Sequence, residues 1–198
     1  MILTKLREDF ILQKIRPTGW LGDSPMRFDT YTRYAAECQS VCEFGVYTGL
    51  STTAFMMAHP RKLTSYDIYP DNFIVRDLLE QYARDHDIDF EFRTDSSIET
   101  QIEETDLLFL DTVHERDHVY RELLLHAPNT RKYIMVHDVA ACEPVLDAVI
   151  DYIKYDKNWK IKEHCNQGSG LMVLEKNHIE VDHSMHDDFF GNTNQWNF

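Results

Sequence analysis

The sequence predicts an α/β fold, a doubly wound and mostly parallel sheet, and three observations predict it. Short apolar runs alternate with helical stretches along most of the chain. Several of the runs stop at an acid or a histidine: Asp67, Asp111 and the pair His137-Asp138. One of them, residues 41–44, leads directly into a turn that holds Gly45 and Gly49.

That turn is the centre of the pattern. The run 41–44 is apolar apart from Glu43 and reads as a strand. Ser51, Thr52 and Thr53 follow the glycines as candidate caps for a helical stretch over 54–58, which Pro60 ends. Residues 63–66 read as a second strand, stopped at Asp67. Strand, glycine turn, helix, strand and acid make one βαβ unit of about 30 residues. Glycines let a backbone approach a ligand where a Cβ would clash. Free N–H groups in the first turn of a helix attract polar or anionic groups. An acid at the end of the second strand can take both hydroxyls of a ribose, so the unit expects an adenosine-containing ligand.

Composition bounds the rest. The 198 residues suit one domain with a real core, since 43% are hydrophobic. No apolar run approaches the ~18–20 residues of a membrane span, and the start lacks a secretory h-region. Cys38, Cys42, Cys142 and Cys165 show no C-x-x-C pairing and read as reduced thiols of a cytoplasmic protein. A net charge of −14 repels phosphate backbones, and no basic patch is longer than Arg131-Lys132, so a nucleic-acid partner is disfavoured and none is expected. No membrane partner is expected either.

Taken in order, residues 1–16 form a helix through Leu3, Leu6, Phe10 and Ile11, ended by Pro17 and Gly19. Ser24 caps a second helix, with Pro25 at its first position, that runs to about residue 37. Trp20 and Arg27 are candidates for a lid. After Asp67 a helix is expected over 73–85, with Ile74, Leu78, Leu79 and Tyr82 on one face. Residues 88–93 are the third strand, ending at Thr94-Asp95-Ser96. The fourth strand, 107–110, stops at Asp111, with His114 three residues on. A helix follows over 115–126. The fifth strand, 133–136, ends at His137-Asp138. A helix over 144–155 and strands at 159–162 and 171–174 complete the sheet. The turn 168–170 between the last two reads as a hairpin. In a parallel sheet Asp67, Asp111 and His137-Asp138 share the carboxyl edge, where ligands bind at the switch point.

The spacing Glu43-x-Gly45-x-x-x-Gly49 departs from the dinucleotide turn G-x-G-x-x-G. It resembles the first motif of class I S-adenosylmethionine-dependent methyltransferases. The Asp111-x-x-His114 pair, the Tyr120-Arg121-Glu122-Leu123 helix and the strand ending His137-Asp138 resemble one branch of that family. That branch holds the small-molecule O-methyltransferases of sugar and macrolide biosynthesis and their cephalosporin-hydroxylase-like relatives. The resemblance covers about residues 38–175. It implies a Rossmann-like, seven-stranded methyltransferase sheet with an antiparallel edge strand over 38–176, a helical cap over 1–37 and a tail over 177–198. It implies S-adenosylmethionine as cofactor, bound by Glu43, Phe44, Gly45, Tyr47, Gly49, Ser51, Asp67, Ile68, Asp95, Ser96 and Asp111. It also implies a divalent metal, Mg²⁺ or Mn²⁺, on Asp111, His137 and Asp138, with His114 as general base. The implied reaction is methylation of a hydroxyl on a small molecule, by a chain that can form a homo-oligomer.

The chain departs from that branch in places. Thr112-Val113 replace a Gly-acid pair, and Pro128 to Lys132 replace paired glycines. His137 stands where an acid is common, and Mg²⁺ prefers oxygen. These departures keep a non-catalytic binding or scaffold protein open. A nucleotide-cofactor oxidoreductase is the other alternative, opposed by the glycine spacing. Single residues have plainer alternatives too: Asp95 and Asp111 as helix caps, His114 as a surface residue, His137 as a buried histidine bonded to backbone. In the tail, His183 and His186 have metal-ligand spacing, although a solvated tail is the plainer reading, with Phe189, Phe190 and Trp196 as docking points.

Overall fold

The computed structural model describes Gln13 and residues 24–177. The expected first helix, Trp20 and the His/Asp-rich tail lie outside the described residues. The elements run α1 (Ser24–Ala35), β1 (Ser40–Phe44), α2 (Leu50–Met57), β2 (Lys62–Tyr66), α3 (Arg76–Asp85), β3 (Asp89–Arg93), β4 (Thr105–Leu110), α4 (Arg116–His126), β5 (Thr130–His137), α5 (Glu143–Tyr155), β6 (Trp159–Cys165) and β7 (Leu171–Lys176).

The strands form one seven-stranded sheet in the order β3-β2-β1-β4-β5-β7-β6. β3 through β5 are parallel, and β7 pairs antiparallel with both β5 and β6. β7 is thus the reversed strand, inserted one place in from the edge. The sheet separates two cores. On one face Tyr31, Phe55, Leu79, Tyr82 and Phe109 pack α1, α2 and α3. On the other, Leu108, Leu123, Ile134, Val149 and Tyr152 pack α4 and α5. Helices on both faces explain why β4 is buried at all six positions and carries no polar alternation.

Register brings the strand ends level. Phe44 pairs with both Tyr66 and Leu110, and Leu110 pairs with Val136. The next residue of each strand therefore reaches the same edge: Gly45, Asp67, Asp111 and His137. The strand order reverses beside β1, since β2 and β4 flank it, and ligands of such sheets bind at that point.

Several boundaries differ from expectation for local reasons. α2 begins directly after Gly49, which takes a left-handed φ of 95° as N-cap and offers no side-chain cap. Ser51 to Thr53 lie inside the helix. α3 starts at Arg76, because Pro70–Asn72 form a 3-10 turn that sends Phe73 and Val75 inward. No helix separates β3 from β4, so Asp95 caps none. Asp111 caps none either, because α4 takes Glu115 as N-cap. Among the described residues no helix is long and apolar enough to cross a membrane.

Candidate active site

The two glycines have a packing reason beside the one expected. Gly45 has φ 89°, and a Cβ there would lie 1.8 Å from the Asp111 carbonyl oxygen. Gly49 has φ 95°, and its Cβ would lie 2.5 Å from the Phe73 ring. Both are demanded by the protein's own close packing, not first by a ligand. The Gly45 contact locks the end of β1 to the end of β4, which also bond through the Asp111 N–H to the Phe44 carbonyl at 2.9 Å.

Glu43 is wholly buried. Its carboxylate accepts from Ser51 Oγ at 2.5 Å, Thr52 Oγ1 at 2.7 Å and Ser65 Oγ at 2.6 Å. Burial pushes the carboxyl up to about 7, against the pull of those hydroxyls. Glu43 ties the first turn of α2 to β1 and β2. It does not line the cavity at the sheet edge, and neither does Gly49. From there these two shape the turn from behind.

Asp67 is placed as expected at the end of β2, on the cavity. Its Oδ2 accepts the N–H groups of Val46 at 2.9 Å and Tyr47 at 2.8 Å, and its Oδ1 accepts from Tyr69 N–H at 2.8 Å. A carboxylate has about four acceptor positions, so one remains for a ligand hydroxyl. Tyr47 itself holds φ 47°, an uncommon conformation for a residue with a Cβ.

The cavity measures about 360 Å³. Of the residues expected at the cofactor, Phe44, Gly45, Tyr47, Ser51, Asp67, Ile68, Asp95, Ser96 and Asp111 all line it. His114, His137 and Asp138 line it as well, so one cavity holds both halves of the expected site.

At the β4–β5 side four titratable groups converge. His114 Nε2 lies 2.7 Å from Asp138 Oδ2 and 3.9 Å from Asp111 Oδ1. His137 Nδ1 lies 3.3 Å from Asp111 Oδ2 and 3.2 Å from Asp138 Oδ2. It is aligned with neither oxygen and is left as a buried ring nitrogen without a hydrogen bond. Ligand atoms of Asp111, His114 and Asp138 fall within 4.8 Å of one another. Burial disfavours charge on Asp111, but His137 and His114 outweigh it and hold the carboxyl well below the usual carboxylate range. Asp111 foremost raises His114 above its ordinary range, against burial, although Asp138 is the nearer acid. Burial opposes charge on His137, and Asp111 with Asp138 override it, pushing it up to about 9.

Asp138 is buried at φ 63°, and the β6–β7 turn holds it there. Its N–H donates to the Gly170 carbonyl at 3.0 Å, and the N–H groups of Ala140 and Ala141 donate to the Ser169 carbonyl. A Cβ on Gly170 would lie 2.4 Å from Ala140 N. The hairpin read from sequence is therefore also the clamp on the loop after β5.

Sequence reasoning missed Tyr31, Ser97, His118 and Ser169, all on the cavity. Tyr31 was legible as the residue four after Arg27, on the same helix face. His118 and the wholly buried Glu122 repeat that spacing on α4, with His118 Nε2 at 3.2 Å from Glu122 Oε1. Thr112 Oγ1 donates to the same oxygen at 2.7 Å, which anchors the loop between Asp111 and His114. Arg27, expected only as a lid, contacts His137 Nε2.

No protein-family model matches the chain, and no curated protein matches its sequence. Solved structures match its fold. The O-methyltransferase from Bacillus cereus in complex with SAH aligns at a TM-score of 0.68 and 13% identity, over 86% of this chain and 90% of that one. TomG from Streptomyces achromogenes, an O-methyltransferase involved in tomaymycin synthesis and solved with SAM, gives 0.62 and 11%, over 86% and 89%. The SAH-bound methyltransferase PaMTH1 from Podospora anserina gives 0.61 and 13%, over 88% and 87%. The chain therefore has the seven-stranded, Rossmann-like fold of class I methyltransferases.

Proposed function

We propose that the protein is an S-adenosylmethionine-dependent O-methyltransferase acting on a hydroxyl of a small molecule. One observation carries the reading: a single cavity at the switch point holds both a ribose-type acid, Asp67, and the Asp111–His114–His137–Asp138 cluster. The SAM- and SAH-bound neighbours of the same fold support it.

The cofactor supplies an already activated methyl group, so the chain's task is alignment and proton removal. Asp67 keeps the glycine turn in place and offers its remaining acceptor position to a ribose hydroxyl. Ile68 and Val113 offer apolar surface to the base, and Asp95 and Ser96 offer polar contacts at the end of β3. His114 accepts the proton of the hydroxyl that is methylated, a role suited to an imidazole near neutral pH. Asp138, 2.7 Å from its Nε2, orients the ring and favours the charged form it takes up.

The residues present fit a divalent ion. Two carboxylates and the otherwise unbonded His137 Nδ1 converge, and a buried polar atom left without a partner needs one. Asp111, Asp138 and His137 would hold the ion. A mixed nitrogen and oxygen set suits Mn²⁺ better than Mg²⁺. When bound, such an ion lowers the pKa of a hydroxyl beside it. A second reading makes His114 the nitrogen ligand, because its Nε2 closes a triad with Asp111 and Asp138.

The test is transfer of labelled methyl from S-adenosylmethionine to a panel of polyols and phenols, with Mn²⁺ or a chelator. His114→Ala should lose transfer by about 100-fold or more while binding the cofactor normally. Unchanged Mn²⁺ affinity in that variant assigns His114 as base, and lost affinity assigns it as ligand. Full transfer without His114 contradicts both.

A further inference from the structure

We propose that Arg27 makes this an enzyme for anionic acceptors, in which the methylated hydroxyl belongs to a molecule that also carries a carboxylate. The inference rests on the methyltransferase reading and names its substrate class.

Arg27 is the one lysine or arginine among the described residues that line the cavity. The chain has a net charge of −14, and Asp67, Asp95, Asp111 and Asp138 line the same cavity. An anion entering such a field needs a local cation. The fold places Arg27 on the acceptor side. Its guanidinium contacts His137 Nε2 at the end of β5, and reaches the Gln167 carbonyl of the β6–β7 turn at 3.5 Å, the limit of a hydrogen bond. It thus stands against the ring whose other nitrogen faces Asp111 and Asp138. The ribose-type acid Asp67 lies three strands away, across β1 and β4.

The helix that carries Arg27 is fixed independently of it. Thr32 Oγ1 donates to the Ala54 carbonyl at 3.2 Å, and Tyr34 Oη and Arg33 both donate to Glu163. Tyr133 Oη donates to Glu37 just past the helix end at 2.6 Å. The arginine is held at the end of a rigid arm.

A planar guanidinium at that place can take an acceptor's carboxylate by two parallel, charge-assisted bonds.

The experiment titrates matched acceptors into full-length protein with S-adenosylhomocysteine and Mn²⁺: catechol against 3,4-dihydroxybenzoate, and glucose against glucuronate. In the wild type the carboxylated member of a pair should bind about tenfold more tightly. Arg27→Met should bring the pair to parity, and Arg27→Lys should keep part of the preference. Cofactor affinity should stay within about twofold in both variants, given that the arm is anchored elsewhere. Equal affinity within both pairs, or no binding by any of them, in protein that holds the cofactor overturns the inference alone. A tenfold loss of cofactor affinity in Arg27→Met also overturns it, by assigning the arginine to the cofactor's own carboxylate. Wild-type protein that binds no S-adenosylmethionine overturns the methyltransferase reading and this inference together.

Discussion

The two halves of the cavity treat their carboxylates in opposite ways. On the β1–β2 side the protein satisfies them itself. Glu43 is surrounded by three hydroxyls, and Asp67 accepts three backbone N–H groups. On the β4–β5 side Asp111 and Asp138 meet two imidazoles, and a buried nitrogen of His137 is left without a bond. A satisfied carboxylate shapes a wall. The second cluster is held by opposite charges at 3.2–3.3 Å, with one buried nitrogen outside any aligned hydrogen bond, at a cost of about 1–3 kcal/mol. The same edge of one sheet thus carries a hydrogen-bonded group and a charge-paired cluster, joined where Gly45 touches Asp111.

The largest expected effect comes from that joint. Gly45→Ala puts a Cβ 1.8 Å from a backbone oxygen at φ 89°, and should cost about 3 kcal/mol or more in urea unfolding. A loss under about 1 kcal/mol would mean that the two halves are not locked together.

Asp138→Asn separates the halves. It should weaken Mn²⁺ binding by about 100-fold while leaving cofactor affinity within a fewfold, both read by calorimetry. Equal losses of both would show the halves to be one unit.

Glu43→Gln tests the satisfied side through pH. Burial raises Glu43 from 4.5 to about 7, so the folded protein keeps a proton that the unfolded chain releases. Its contribution is complete below about 4.5 and is lost as pH rises through about 7. The stability of Glu43→Gln relative to wild type should therefore improve by on the order of 2 kcal/mol across that window. A flat difference would place the Glu43 carboxyl in contact with water.

The smallest effect is expected at Asp67→Asn. The amide keeps one accepting oxygen, so its nitrogen faces either the Tyr69 N–H or the pair from Val46 and Tyr47 without accepting it, and cofactor affinity should fall about tenfold. Mn²⁺ binding should not change.

Sequence carried the sheet well because strand, acid and helix alternate without long insertions, and register alone then brings Gly45, Asp67, Asp111 and His137 to one edge. It did not show that Glu43 turns away from the cavity, since a motif gives residue types and not the direction of side chains. The three hydroxyls that enclose Glu43 come from two elements, β2 and α2, and only the folded chain shows that they meet. Arg27 was visible as a residue and not as a site residue, because the helix that delivers it to the end of β5 lies more than 100 positions away in sequence. The clamp from Gly170 to Asp138 was hidden likewise: a Gly-Ser-Gly turn looks the same whether or not it holds a loop.

The cavity should hold S-adenosylmethionine across both halves. A calorimetric titration with that ligand, run with Mn²⁺ and then with a chelator, tests it most directly. Saturable one-to-one binding is expected in both conditions, with a separate metal heat that disappears in Asp111→Ala. Absence of any binding of S-adenosylmethionine or S-adenosylhomocysteine to folded protein would contradict it.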